Sequence, residues 1–252
     1  MPAYRDAMCG RFVLPEEAAV LACWPQIAPI QDGGWKACFN VAPARTVPVL
    51  VREPGGGLAL RPARWGLIPA WWRRESPPAR TFNARSEDAA RKPMWRDSLP
   101  ARRCLVPAGG WYEWKRPDGA AGLSGRPSPQ PYFICRPREP VLAFAGLWAR
   151  REPAGSDPAL SFAILTQPAA PAISFIHPRM PVVVPLDQQA EWLDPRTTAE
   201  TARTLIARAC EDFLARPVSS RVNDARQDSP NLTEEVQPPP PEPDLFSQPP
   251  AG

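Results

Sequence analysis

One histidine in 252 residues, six cysteines without a single C-x-x-C pair, and no long apolar run already exclude several classes of protein. The thiols at 9, 23, 38, 104, 135 and 210 are scattered, and with so little imidazole they suggest neither a zinc site nor a disulfide framework. No metal and no cofactor are expected, and the thiols are expected to be reduced. The longest apolar stretches, Val141 to Trp148 and Met180 to Pro185, fall far short of the roughly 20 residues a transmembrane helix needs. Residues 1–20 also lack a continuous apolar signal core. No membrane attachment is expected, and the protein is expected to be soluble and cytoplasmic.

What the chain does have is core material, with 44% hydrophobic residues and 10 tryptophans, enough for one large domain. Its formal charge of +4 is modest but unevenly placed. Between Arg61 and Arg103 stand ten Arg and one Lys against Glu75, Glu87, Asp88 and Asp97, a local +7 that leaves −3 for everything else. Arginine suits forked phosphate contacts and stacking, so this segment is a candidate anion-binding face; ordinary solvated surface is the alternative.

Along the chain, residues 1–7 show no periodicity and read as a leader or an overcalled start. Pro15-Glu16-Glu17 opens a short helix to about Cys23. Val47–Arg52 and Leu58–Arg61 form a hairpin around Gly55-Gly56-Gly57. Residues 65–72 are too rich in Gly and Pro for a helix, and Ser86 is a candidate N-cap for a short helix to Lys92. Residues 104–107, 110–114, 132–135, 141–148 and 160–166 read as strands, separated by Pro and Gly. The clearest helical spacing runs from Thr198 to Ala215. From 231 to 252 the composition turns to proline and acids, with seven prolines in the last sixteen residues, and a disordered tail is expected.

Met8-Cys9-Gly10-Arg11-Phe12 carries the most specific chemistry. Removing a methionine before cysteine leaves a thiol and a free α-amine two carbons apart, and such a 1,2-aminothiol can close a five-membered ring on an aldehyde. The α-amine titrates near ~7.7–8.0, so a useful neutral fraction exists at physiological pH. Read alone, Cys9 could equally be one more small buried apolar residue.

Its company is distinctive: Asn40-Val41-Ala42-Pro43, Trp65-Gly66-Leu67-Ile68-Pro69, Asn83-Ala84-Arg85-Ser86-Glu87, Arg103-Cys104-Leu105-Val106-Pro107, Trp111-Tyr112-Glu113-Trp114, Ala145-Gly146-Leu147-Trp148 and Ile176-His177-Pro178-Arg179-Met180-Pro181. With Met8–Phe12 these blocks, in this order, resemble the SOS response-associated peptidase (SRAP) family, from residue 8 to about 230. The resemblance implies an α+β fold, a single domain (9–230) with a strongly curved, barrel-like, mainly antiparallel β-sheet and flanking helices. It implies a basic groove for single-stranded DNA and an N-terminal catalytic cysteine that forms a thiazolidine with the ring-opened aldehyde of an abasic site. That role falls on Cys9, with Asn83 near the α-amine, Glu113 as the proton-transfer group and His177 as a second acid/base. Arg11, Pro43, Trp71, Trp72, Arg85 and Arg179 match positions along the DNA path. A monomer associated with the nucleoid is expected.

The chemistry of the residues agrees. Imine formation eliminates water and needs a group that gives and takes a proton, and a carboxyl shielded among Trp111, Tyr112 and Trp114 should have a raised pKa suited to it. His177 could protonate the sugar ring oxygen or help reverse the linkage. Trp71 and Trp72 offer stacking platforms, and at least one of two adjacent side chains in an extended segment should point outward. Their structural alternatives are a strand-edge carboxylate, a satisfied histidine and core tryptophans.

Two features depart from the family pattern. Seven residues precede Met8, so the aminothiol exists only if residues 1–8 are absent from the working protein or removed; and Pro178 stands where an acidic residue commonly follows the histidine. The covalent-capture reading includes lyase-like activity, and two other functions compete with it: a cysteine-type (auto)peptidase using Cys9, His177 and Asn83 to remove the chain's own first residues, or a non-catalytic single-strand-binding module. In the tail, Asp244-Leu245-Phe246 loosely resembles a replication sliding-clamp anchor.

Overall fold

The computed structural model describes residues 9–30, 34–74, 77–117, 128–151, 159–207, 210 and 212–237. In chain order the strands are β1 (Arg11–Leu14), β2 (Cys38–Val41), β3 (Thr46–Arg52), β4 (Leu58–Trp65), β5 (Asn83–Arg85), β6 (Arg103–Ala108), β7 (Gly110–Lys115), β8 (Gln130–Cys135), β9 (Leu142–Arg151), β10 (Ala159–Pro168), β11 (Arg179–Pro181) and β12 (Leu214–Pro217). The helices are α1 (Glu17–Cys23), α2 (Pro93–Arg96), α3 (Leu186–Leu193) and α4 (Ala199–Ile206). Among these residues no helix is long and apolar enough to cross a membrane.

The strands form two sheets. One is antiparallel in the order β12-β8-β7-β1-β2. In the other, β3, β4, β10, β9 and β6 pair successively and β6 returns to β3, so the pairings close into a ring. Two seams of that ring are only two residue pairs long, β4–β10 and β3–β6, so the sheet is strongly curved and partly ring-like without being a full barrel. β5 and β11 add to β10, and among the described residues only the β10–β4 and β10–β5 pairings are parallel. The expected α+β, mainly antiparallel architecture with flanking helices is what the chain adopts.

Strand alternation explains the layering. On β10, Phe162 and Ile164 face a core shared with Phe12, Trp65, Trp111 and Ile134, between the two sheets. Ala163 and Leu165 face the opposite way, toward Val20, Trp24, Trp192, Ala202 and Ile206, which come from the helices and the turn after α1. The outer face of the first sheet, with Val13, Tyr112 and Phe133, is covered by Val218, Val222 and Leu232. Gly110, the first residue of β7, has φ +147, and a Cβ there would lie 2.5 Å from the Ile134 carbonyl oxygen.

The α1 helix, the β3–β4 hairpin and the strands β6 to β10 follow the sequence pattern. Three segments do not. Residues 86–92 form successive turns rather than a helix capped by Ser86: the Asp88, Ala89 and Arg91 N–H groups bond carbonyls three residues back, and Lys92, preceding a proline, is extended at ψ 130; the helix starts only at Pro93. The helical stretch begins where expected, with Thr198 accepting from the Thr201 N–H, but ends at Ile206. Leu214 starts β12 instead, pairing with Cys135, and Phe213 packs edge-on against Trp111 at 5.3 Å. Past residue 231, Leu232 is buried and the Val236 N–H donates to the Pro217 carbonyl. Residues 1–8 and 238–252, with Asp244, Leu245 and Phe246, lie outside the described residues.

Candidate active site

β1 and β7 are neighbours, with Arg11 opposite Tyr112 and Phe12 opposite Trp111. This register brings Cys9 and Gly10, the two residues before β1, alongside the middle of β7. The Cys9 backbone N–H accordingly donates to Glu113 Oε1 at 2.7 Å, and both residues are buried, 0% and 2% exposed. From the other side, Asn83 on β5 donates through Nδ2 to the Cys9 carbonyl at 3.2 Å. β5 is held in place by its parallel pairing to β10, where Asn83 lies opposite Ile164. Cys9, Asn83 and Glu113, 104 residues apart at the extremes, are thus joined directly.

Burial dominates the electrostatics here. It pushes the Glu113 carboxyl up to about 8, against hydrogen bonds from the Cys9 and Trp114 backbone that pull it down. Burial, and secondarily the nearby Glu113, hold the Cys9 thiol well above its ordinary range. A thiol kept neutral is a poor match for a peptidase nucleophile, whose reactivity needs the thiolate. No His177 contact to Cys9 lowers it: the His177 ring engages Arg179, not the cysteine.

His177 lies on the loop between β10 and β11, whose residues Ala170, Ile173 and Ile176 share the core cluster with Cys9. Its Nδ1 sits 3.1 Å from both the backbone N and the carbonyl O of Arg179. Burial first, then the charges of Arg116 and Arg179, keep its pKa below the usual value, against a hydrogen bond to the Arg179 backbone that raises it; the tautomer decides whether Nδ1 receives the Arg179 N–H or donates to the Arg179 carbonyl. The proline after it leaves the loop anchored, since the Pro178 carbonyl accepts from the Ala169 N–H at 3.0 Å.

The residues matched to a DNA path divide into free and committed ones. Trp71 is 45% exposed and its ring centroid lies 5.9 Å from that of the half-buried Trp72, which also carries the Arg74 guanidinium at 5.6 Å. Arg85, on β5 two residues after Asn83, is exposed, and among the described residues its side chain makes no hydrogen bond or ion pair. Pro43 stands in the turn from β2 to β3, where the Ala44 N–H donates to the Trp65 carbonyl at 2.7 Å. Arg11 Nη1 donates to the Val222 carbonyl at 3.4 Å. Arg179 is more tightly held: it forks onto Glu87, which it draws down to about 2, and onto the Thr166 carbonyl at 2.6 Å.

The basic segment is correspondingly less uniform than its charge suggests. Arg103 is buried and donates to the carbonyls of Leu99, Pro100 and Trp192, closing turns rather than meeting an anion. Arg61, Arg91, Lys92 and Arg96 are in ion pairs. Arg73, Arg74, Arg80 and Arg85 remain as exposed cations of this stretch.

Some positioning residues escape reading by motif. Asn40 Nδ2 faces the carbonyls of Val222, Asp224 and Gln227 at 3.0 to 3.3 Å and so secures the segment that Arg11 also contacts. Glu87 was part of a motif but its role as the Arg179 partner emerges only when β5 and β11 flank β10. The buried asparagine in Asn40-Val41-Ala42-Pro43 is the one available signal, since a buried amide must find partners.

The family model described as SOS response associated peptidase (SRAP) matches residues 8–225. The abasic site processing protein YoqW of Bacillus subtilis is 32% identical over 230 residues, which span 90% of this chain and 99% of that protein. The abasic site processing protein HMCES of Gallus gallus is 29% identical over 259 residues, 90% of this chain and 71% of that protein. Among solved structures, a Bacteroides thetaiotaomicron protein superimposes with a TM-score of 0.75 at 22% identity, over 91% of this chain and 100% of its own. A phage-related protein of Bordetella bronchiseptica gives 0.65 at 31% identity, over 83% and 94%. Family model, relatives and fold agree over the same stretch, and the chain belongs to the SOS response-associated peptidase (SRAP) family.

Proposed function

We propose that the protein processes abasic sites in DNA: it binds single-stranded DNA and captures the lesion covalently through Cys9, shielding it from strand cleavage. The relatives named as abasic site processing proteins support the first part. The observation that carries the rest is the Glu113 carboxyl 2.7 Å from the Cys9 nitrogen, in a buried setting that keeps it protonated near neutrality. In this chain that nitrogen belongs to the peptide bond from Met8; freed of residues 1–8, it is the α-amine. An ammonium there would favour ionised Glu113, but burial favours the neutral pair, so amine and carboxyl share one proton between them.

The balance is simple. The amine adds to the aldehyde carbon to give a carbinolamine, which loses water as Glu113 gives its proton to the departing hydroxyl and takes one back from the nitrogen, leaving a neutral imine. The thiol then adds across the C=N bond with its proton ending on nitrogen, closing the thiazolidine, so one water is lost overall. Asn83, on the Cys9 carbonyl, keeps the reacting residue in place. Protein beginning at Cys9, mixed with an abasic single-stranded oligonucleotide, should give a covalent band on a denaturing gel; a Cys9→Ser band of equal heat stability would overturn the ring.

Binding is carried by stacking and cations without a base code. Trp72→Ala should weaken single-strand binding roughly 5- to 100-fold for any sequence. Arg85→Ala should lower the slope of log affinity against log salt by roughly 0.7. Anisotropy titrations at several salt concentrations check both, and unchanged values in the two variants would remove the groove assignment.

His177 has a proton-transfer role in this reading, so His177→Ala should slow formation or reversal of the crosslink about 100-fold while leaving affinity for the oligonucleotide intact. Quench-flow capture and a strand-exchange release assay measure the two rates. Normal rates in both directions would return His177 to a purely structural part.

A further inference from the structure

Phe175, between Pro171–Ile173 and His177, is 53% exposed, more than any aromatic the DNA path was expected to use. Its position is not loose: the Ser174 N–H donates to the Ala170 carbonyl and the Ile176 N–H to the Ile173 carbonyl, both at 3.0 Å. Its ring meets Tyr132 edge-on at 5.8 Å, and the Lys115 ammonium lies over it at 5.5 Å. The Tyr132 ring and the Lys115 ammonium thus hold the Phe175 ring while leaving half of the residue exposed. Arg116 follows Lys115 and is close enough for its charge to act on His177.

β10 places this cluster relative to the tryptophans. The loop bearing Trp71 and Trp72 is tied to the strand's beginning, where the Ile68 N–H donates to Ser161 Oγ and the Gly66 N–H to the Phe162 carbonyl. Asn83, which holds Cys9, pairs at Ile164. The Ala169 N–H, just past the strand's end, binds the Pro178 carbonyl of the His177 loop. At about 3.3 Å per residue, Ser161 and Ala169 are roughly 26 Å apart. Along this axis Cys9 lies between the tryptophan loop and Phe175.

We infer that Phe175, backed by Lys115 and Arg116, is a second stacking platform that takes a base of the strand on the side of the lesion opposite Trp71 and Trp72. This rests on the single-strand reading above. An exposed, preorganised ring beside two cations fits a nucleotide, whose base needs a flat apolar face and whose phosphate needs positive charge.

The test uses three oligonucleotides carrying a tetrahydrofuran abasic analogue, which cannot ring-open and so reports affinity alone: flanked on both sides, on the 5′ side only, and on the 3′ side only. Phe175→Ala should lose roughly 5- to 100-fold in affinity for the two-sided strand and for one single-sided strand, and nothing for the other. Trp72→Ala should show the reverse preference. Phe175→Trp should retain binding, whereas Phe175→Leu, apolar but unable to stack, should fall with Phe175→Ala. Equal loss on both single-sided strands, or no loss on any, overturns this inference while wild-type binding leaves the single-strand reading standing. Wild-type protein that binds none of the three sinks the reading itself.

Discussion

Protein in which residues 1–8 remain joined to Cys9 should form no heat-stable crosslink to an abasic single strand, at least about 100-fold less than protein starting at Cys9. The reason is electronic. An amide nitrogen has given its lone pair to the carbonyl and cannot add to an aldehyde, whereas the thiol alone yields only a reversible hemithioacetal. Everything around the nitrogen is ready: Glu113 is 2.7 Å away and Asn83 holds the adjoining carbonyl. Cys9 also has φ +33, in the left-handed region, where a residue with a Cβ pays about 1–2 kcal/mol. Release of the preceding segment ends that constraint, because φ is not defined for a first residue. The test is two preparations of verified intact mass, one retaining residues 1–8 and one beginning at Cys9, compared on a denaturing gel after heating. A stable band from the longer preparation would rule out the thiazolidine for this protein, and the Cys9→Ser variant separates the two functional groups, because it keeps the amine but can go no further than an imine.

The arrangement around Cys9 was legible in the sequence to an unusual degree, for a local reason. Glu113 sits among Trp111, Tyr112 and Trp114, so a shielded carboxyl could be read from four adjacent letters, and burial does raise it to about 8. The strands were equally legible, because β6 to β10 carry short apolar runs punctuated by proline and glycine. What could not be read depends on partners distant in sequence. Arg103 and Arg85 look alike in a charge count, yet one closes buried turns and the other faces solvent, and only the placement of Leu99 and Trp192 decides which. Phe213 and Leu214 continue a helical spacing by coincidence; pairing with β8 and contact with Trp111 outweigh that local preference. Leu232 reads as part of a polar tail until Val13 and Phe133 present it with an apolar face.

Glu113→Gln should separate function from stability more sharply than any other substitution. Gln keeps an oxygen for the Cys9 nitrogen but cannot give up a proton, so crosslinking should slow by about 10²- to 10⁴-fold. Stability should move the other way, with a definite pH dependence. The carboxyl's pKa is raised in the folded protein, from 4.5 to about 8. Below pH 4.5 it is protonated folded or unfolded and costs nothing. As pH rises through the window between the two values, the unfolded chain releases the proton while the fold retains it, so wild type loses stability. At about 1.4 kcal/mol per pKa unit, the loss is on the order of 3 kcal/mol at pH 7. The Gln variant has no such proton to lose. Its melting temperature should therefore equal or trail that of wild type at pH 4.5 and exceed it by several degrees at pH 7.5. Thermal unfolding of both proteins across that range measures the difference directly. A gap that does not widen with pH would mean that Glu113 is ionised in the folded protein, and an ionised carboxylate could not protonate the departing hydroxyl.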